Sequence, residues 1–230
     1  THTDKALVDI VLIVDTSSSM KGDNIKNSKA AIKKMVEGFN KKDTVDVRYR
    51  LVTFGTDAKI QTEWVNGNTV NEKVKEISIK DNQGTNYDKG FQNAKDALSG
   101  ARNGASKIVV FLTDGKPTYY ENGKGLGDET SVNTLNAAYS SAKEITCDQF
   151  YAVGISVRNS LGNVTIYQND YYDFWGYNPT YTTIPGLNIL QTIKQKTNNG
   201  NGAVGDAWVL KDSTELSEKF ESIVGEITTL

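Results

Sequence analysis

A run of apolar residues at positions 8–14 constrains the fold of this chain more than any other stretch. Only Asp9 interrupts the run, and such continuous hydrophobicity is typical of a strand that is covered on both faces. Residues 107–112 and 150–155 form two further runs of the same kind. The three runs therefore predict strands that lie deep in one sheet.

Amphipathic patterns separate these runs, with apolar side chains recurring at helical spacing. Helices are predicted at residues 22–39, 71–77, 87–98, 131–145, 187–197 and 213–227, the last of them capped by Ser213. Residues 45–54 and the run that follows them to Trp64 alternate between apolar and polar, which indicates an antiparallel hairpin at a sheet edge. Residues 207–210 predict a short edge strand. The predicted fold class is α/β, with a doubly wound, mostly parallel central sheet, one antiparallel edge strand and helices on both faces.

The length of 230 residues suits a single domain over residues 1–230, which would bury about 70% of its unfolded surface. Two regions interrupt the regular order. We interpret residues at about 116–130, which are rich in glycine, and residues 157–186, which lack a regular pattern, as loop insertions. Both follow strands that should end at the same edge of the sheet.

Composition excludes several classes of function. The net charge of −2 argues against a nucleic-acid partner, and no apolar run approaches the roughly 18 residues that a membrane-spanning helix needs. The only histidine is His2, the only cysteine is Cys147, and no nucleophile or phosphate-binding motif occurs. We therefore expect a chain that is not an enzyme and does not insert into a membrane.

Oxygen-bearing side chains follow two of the predicted strands. Asp15, Ser17 and Ser19 come directly after the first apolar run, and Asp114 follows the second. Right-handed crossovers bring the carboxyl ends of such strands to one edge of the sheet, and Thr85 should reach that edge from a third loop. Carboxylate and hydroxyl oxygens favour Mg²⁺, or Mn²⁺ in its place. Each motif alone could equally be a helix cap or a turn, but three motifs at one edge favour a metal site.

The segments 15–22 and 112–117, together with Thr85, resemble the von Willebrand factor A domain with a complete metal-ion-dependent adhesion site. The resemblance covers residues 9–230 apart from the aromatic insertion. It implies that Ser17 and Ser19 bind the cation directly, that Thr85 binds directly or through water, and that Asp15 and Asp114 act largely through waters and hydrogen bonds. One coordination position would remain for a carboxylate of the ligand. The family usually has two glycines before the threonine, whereas here Gln83 precedes Gly84.

Aromatic residues are concentrated in the two insertions. We expect them to flank the metal edge, where rigid aromatic side chains supply contact area for a protein or glycan. The candidate ligand-binding residues are Tyr119, Tyr120, Tyr171, Tyr172, Trp175 and Tyr177. The alternative is that most of these rings pack on one another as a small satellite core.

The positions of the insertions resemble those of tip adhesins of sortase-assembled pili on Gram-positive bacteria. This narrower resemblance implies an extracellular domain on a bacterial surface or pilus, within a longer chain, that binds a host matrix or cell-surface protein or glycan. Two alternatives are an intracellular domain that assists an ATP-driven chelatase-like machine and a metal-dependent hydrolase with Asp15 or Asp114 as its base.

Overall fold

The computed structural model describes residues 4–155, 160–171, 175 and 180–228. Within these residues the chain forms nine strands. They are Ala6–Asp15 (β1), Val45–Phe54 (β2), Ala58–Ile60 (β3), Ser106–Thr113 (β4), Thr130–Ser131 (β5), Gln149–Ile155 (β6), Asn163–Tyr167 (β7), Tyr181–Pro185 (β8) and Val204–Leu210 (β9).

The same residues form six α-helices, and two short 3₁₀ turns at Ser18–Met20 and Asn198–Gly200. The α-helices are Asp23–Asn40 (α1), Gly67–Lys75 (α2), Tyr87–Ala97 (α3), Val132–Lys143 (α4), Gly186–Lys196 (α5) and Ser213–Thr228 (α6). No described helix has the length and hydrophobicity needed to cross a bilayer.

The central sheet has the strand order β3-β2-β1-β4-β6-β9. Every neighbouring pair is parallel except β2 and β3, which are antiparallel. This arrangement confirms the predicted doubly wound sheet with one antiparallel edge strand. The chain order reverses between β1 and β4, and the crevice outside the carboxyl ends of the strands at such a switch point is where ligands bind in this class of fold.

Helices cover both faces of the sheet, which explains the unbroken apolar run in β1. Leu12 belongs to a core packed against α1, α2 and α6, whereas the next residue, Ile13, belongs to a second core packed against α3, α4 and α5. Successive side chains of a strand point to opposite faces. A polar residue in either of the two alternating sets of β1 positions would therefore place a polar side chain in one of these cores.

A second sheet of three strands, in the order β5-β7-β8, lies outside the central one. Its strands β7 and β8 pair antiparallel and fall inside residues 157–186, where the sequence predicted no regular structure, so that expectation is wrong for these ten residues. Val164 and Ile166 point from β7 into the core beneath α3, α4 and α5. Only these two apolar residues alternate along β7, and a pattern this short does not predict a strand.

Two helix starts also differ from the prediction. The second helix begins at Gly67 rather than at residue 71, because the side chain of Asn66 caps it by accepting a hydrogen bond from the Thr69 amide, 2.9 Å away. The last helix is capped by Asp212 rather than by Ser213, since the Asp212 carboxylate accepts a hydrogen bond of 2.9 Å from the Glu215 amide. Asp, Asn and Ser are all good N-caps, and in both helices the residue that comes first along the chain takes the capping position.

Candidate metal centre

The two predicted carboxylates lie at the switch point of the sheet. Asp15 is the last residue of β1 and is completely buried, and Asp114 follows β4 with an exposed fraction of 5%. The Asp15 carboxylate accepts a hydrogen bond of 2.7 Å from the Ser17 amide on one oxygen and another of 2.7 Å from the Thr113 hydroxyl on the other. These two donors fix its orientation.

The two predicted serines lie on the connection between β1 and α1, where Ser17 precedes the 3₁₀ turn and Ser19 is part of it. The Ser17 and Ser19 hydroxyl oxygens are 3.2 Å apart, and the Ser19 hydroxyl donates to Asp114 Oδ1 at 2.9 Å. The other Asp114 oxygen accepts from the side-chain amide of Asn24, in the first turn of α1, also at 2.9 Å. Sequence reasoning missed Asn24, because its partner Asp114 lies 90 residues away in the sequence.

Thr85 reaches the same edge from the loop before α3. Its backbone amide donates to the Thr118 hydroxyl at 3.0 Å, and its carbonyl accepts from the amides of Thr118 and Tyr119 at 2.8 and 3.1 Å. Its hydroxyl oxygen lies 3.9 Å from the place that a Cβ would take on Gly115, the residue after Asp114. All five predicted site residues therefore lie at one edge of the sheet.

Gln83, the residue before Gly84, is accommodated by the neighbouring loops. Its side-chain oxygen lies over Gly55, 2.8 Å from where a Cβ on that glycine would be, and accepts a hydrogen bond of 3.4 Å from the Thr56 amide. Its backbone amide donates to the Ser18 hydroxyl at 2.7 Å, and its carbonyl accepts from the Ser18 amide at 3.1 Å. The loop before Thr85 is thus tied to the serine turn.

The electrostatics of the two carboxylates suit a cation. Burial, and next the charge of Asp114, raises the pKa of Asp15 to about 7. Burial likewise raises the pKa of Asp114, against the lowering effect of hydrogen bonds from Asn24 and Ser19. A divalent cation would offset the cost of two buried, adjacent negative charges.

The donor set fits a hard cation. In the part of the chain that the structure describes, no three His, Cys, Asp or Glu side chains come together as a metal-binding group. The candidate centre instead combines two carboxylates with three hydroxyls, and oxygen donors of this kind suit Mg²⁺ or Mn²⁺ better than zinc or copper.

The predicted ligand-binding residues of the first insertion are largely packed. Tyr119 is partly buried between Gly84 and Gly127, and its hydroxyl lies 2.6 Å from the place that a Cβ on Gly127 would take. Tyr120 is only 9% exposed. Both rings are therefore largely withdrawn from solvent.

The predicted residues of the second insertion differ in exposure. Tyr171 is 66% exposed and Trp175 is 85% exposed, whereas Tyr172 and Tyr177 lie outside the described residues. Ser160, near the start of this insertion, donates to the backbone carbonyl of Asp114 at 2.7 Å. The insertion therefore contacts the candidate metal centre through Ser160.

One carboxylate of the second insertion bonds to the first insertion and to the start of α4. Asp170 accepts hydrogen bonds from the hydroxyl of Tyr120, from the hydroxyl of Ser131 and, at 3.0 Å, from the side-chain amide of Asn133. We call this set of four residues the Asp170 junction. The hydrogen bonds lower the pKa of Asp170 despite its partial burial. Sequence reasoning missed the junction because its partners are separated by 37 to 50 residues.

Solved structures with the same fold include three proteins of bacterial pili. The PilB minor pilin from Streptococcus sanguinis is 15% identical with a TM-score of 0.73, over 99% of this chain and 62% of that chain. The vWF domain of the type V pili tip protein Mfa5 from Porphyromonas gingivalis is 14% identical with a TM-score of 0.64, over 99% and 97%. The pilus adhesin SpaC from Lactobacillus rhamnosus GG is 16% identical with a TM-score of 0.66, over 98% and 31%.

At these identities the likeness shows a shared fold. The chain spans less than two thirds of the length of PilB and about a third of that of SpaC. A sequence model supplies the family independently, because the model of the von Willebrand factor type A domain matches residues 9–165. With the sheet order and the clustered motif residues described above, this match shows that the chain belongs to the von Willebrand factor type A domain family.

Proposed function

We propose that this chain is a metal-dependent adhesion domain that captures an acidic group of a partner. The cation, Mg²⁺ or Mn²⁺ in its place, would be held by Asp15, Ser17, Ser19, Thr85 and Asp114. The observation that carries the proposal is the hydrogen bond of 2.9 Å between the Ser19 hydroxyl and the Asp114 carboxylate, 95 residues apart. It supports the convergence of separate motifs on one point, which a helix cap or a turn would not need.

The chain's own side chains preorganise this centre. Thr113 and the Ser17 amide hold both oxygens of Asp15, and Asn24 holds the outer oxygen of Asp114. Ser19 is exposed, so a partner has access to the centre from solvent. A bound cation supplies the positive charge that an incoming carboxylate needs, and ligands already held in place reduce the entropic cost of binding it.

The biological setting that we propose follows the three pilus proteins of the same fold. A minor pilin, a pilus-tip domain and a pilus adhesin support an extracellular role on a bacterial surface or pilus. The partial coverage of PilB and SpaC supports a place within a longer chain. The partner would be a host matrix or cell-surface protein or a glycan.

We propose binding rather than catalysis. Cys147 follows α4 and precedes β6, at the opposite end of the sheet strands from Asp15, and burial raises the pKa of its thiol to about 12. A thiol in that state is a poor nucleophile at neutral pH. The Cys147 thiol therefore does not act as a catalytic nucleophile together with Asp15 and Asp114.

The experiment that tests the proposal is a binding screen against matrix proteins and glycans, run in Mg²⁺ and again after EDTA. We expect capture of at least one partner in Mg²⁺, loss of capture in EDTA, and the same loss in Asp114→Ala. Asp23→Ala is the matched control, because Asp23 is an exposed aspartate in the first turn of α1 at the same edge. Capture that survives EDTA, or turnover of the captured partner, would reject the proposal.

A further inference from the structure

A cleft of about 570 Å³ lies beside the candidate metal centre. Its floor is one face of the hairpin formed by β2 and β3, where Thr53 is paired with Lys59. The end of α2 and the segment at residues 76–83 form its walls, and Thr16, the residue after Asp15, lines the end nearest the metal centre. A volume of this size is typical of a ligand site.

The walls of the cleft are anchored at both ends. The Lys29 ammonium on α1 donates to the carbonyls of Lys75 and Ile77 at 2.9 and 2.5 Å, where α2 ends. At the other end the Ser18 hydroxyl donates to the Lys80 carbonyl at 3.0 Å. Because Ser18 lies between the predicted metal ligands Ser17 and Ser19, one turn shapes both the metal centre and the cleft.

The cleft carries a small excess of positive charge. Three lysines line it together with two carboxylates, Asp57 and Glu76, and Lys73 is paired with Glu76 at 3.5 Å. Neither Lys59 nor Lys80 forms an ion pair with any carboxylate in the described ranges. Both are exposed, so their ammonium groups are available to a ligand.

The remaining lining suits a peptide backbone. The Gln61 side-chain amide donates to the Thr53 hydroxyl at 2.8 Å, which leaves the Gln61 side-chain oxygen and the Gln83 side-chain NH2 group to exchange hydrogen bonds with peptide groups. The floor includes β3, which is the strand at one edge of the central sheet. An edge strand can form backbone hydrogen bonds with an added extended segment.

We propose that this cleft is a second recognition site that binds an acidic peptide segment of the partner through Lys59 and Lys80. The segment would continue from the acidic group captured at the metal centre. The link between the two sites rests on the proposed function, but the affinity of the cleft for an acidic peptide does not. The two ideas can therefore fail separately.

The test is NMR titration of the chain with an acetylated, amidated triglutamate peptide, in buffer freed of metal by a chelating resin. We expect the peptide to shift the amide resonances of Thr53, Lys59 and Gln61, with saturable binding. The variant Lys59→Glu with Lys80→Glu should bind the peptide about fivefold more weakly or worse, because it removes two exposed charge pairs and adds repulsion.

The matched control is Lys41→Glu with Lys42→Glu, which changes the net charge equally on exposed lysines at the far end of α1. Equal weakening in both double variants, or shifts confined to other surfaces, would overturn the proposal. Tighter binding of a heparin tetrasaccharide than of triglutamate would overturn the assignment to a peptide. In a separate arm, Mg²⁺ should shift Ser17 and Ser19, and failure there would reject the metal centre while leaving the result for the cleft intact.

Discussion

The ring of Tyr119 lies directly over Gly84, so that a Cβ on this glycine would overlap the ring. The carbonyl of the next residue, Thr85, accepts hydrogen bonds from the amides of Thr118 and Tyr119, and its amide donates to the Thr118 hydroxyl. The first insertion is therefore packed onto the loop that carries one of the five candidate ligands. Glycine at position 84 is required by the close approach of the ring.

The first prediction concerns this contact. Gly84→Ala should displace Tyr119 and move Thr85, weakening Mg²⁺ affinity by roughly tenfold, the lower end of what loss of a supporting contact costs a metal site. Isothermal titration calorimetry measures the effect. Adding Tyr119→Ala should restore most of the affinity, since the added methyl group then has space. No rescue in the double variant would show that Tyr119 does not transmit the effect.

The second prediction concerns stabilisation by metal. Asp15→Ala should abolish the thermal stabilisation that Mg²⁺ gives the parent chain, which mass action sets at about 2.7 kcal/mol when the metal is at 100 times its dissociation constant. Differential scanning calorimetry with and without Mg²⁺ measures it. Asp23→Ala, at the same edge, should keep the full response. An unchanged response in Asp15→Ala would remove this residue from the site.

The third prediction concerns pH in the absence of metal. Because the pKa of Asp15 is raised from 3.8 to about 7 in the folded chain, the folded state keeps a proton that the unfolded state has released between these values. The free energy of unfolding should therefore fall as pH rises towards 7, by up to about 1.4 kcal/mol per pH unit. Urea unfolding from pH 5 to 8 measures the slope.

Asp15→Asn should flatten this slope, because an amide does not titrate. Mg²⁺ should act in the opposite direction and stabilise the parent chain more at pH 8 than at pH 6, since metal binding favours the ionised carboxylate. If the slope of Asp15→Asn matches that of the parent chain, another group causes the pH dependence.

The fourth prediction concerns the Asp170 junction. Asp170→Ala would leave the hydroxyls of Tyr120 and Ser131 without their shared acceptor, and we expect a loss of about 1–3 kcal/mol in the free energy of unfolding. Mg²⁺ affinity should stay within about twofold of the parent value, because none of the five candidate metal ligands contacts Asp170. A large loss of Mg²⁺ affinity would show that the junction supports the metal centre as well as the insertions.

The fifth prediction concerns the exposed ring of Trp175. Trp175→Ala should reduce partner capture by about tenfold or more if the ring is a binding hot spot, while changing neither the melting temperature nor Mg²⁺ affinity. The control is Val204→Ala, because it replaces another exposed apolar residue. Tyr139→Ala would not serve, because its ring is partly buried in the core. Equal loss of capture in Trp175→Ala and Val204→Ala would reject a specific role for the tryptophan.

Much of the fold was predictable because its signals are local. The apolar run in β1 and the strands ending at Thr113 and Ile155 define the central sheet, and the crossover rule places Asp15 and Asp114 together. Four of the five candidate ligands follow from residue type and position at or after the ends of these strands, and Thr85 from its place in the loop before α3.

The remaining features depend on pairs that are distant in sequence. Strands β7 and β8 are five residues each and become visible only once they pair. Gln83 fits its loop because residue 55 happens to be glycine, and Asn24 meets Asp114 across 90 residues. Neither contact leaves a trace in the local pattern, because each partner alone is an ordinary loop or helix residue.

The Asp170 junction makes the two insertions a single exchangeable unit. A graft that moved only residues 116–130 into another scaffold would carry the Tyr120 hydroxyl away from its acceptor, and a graft of the second loop alone would leave a half-buried carboxylate facing foreign residues. Attempts to transfer the recognition properties that we propose for this domain should therefore move both loops, together with Ser131 and Asn133 at the start of α4.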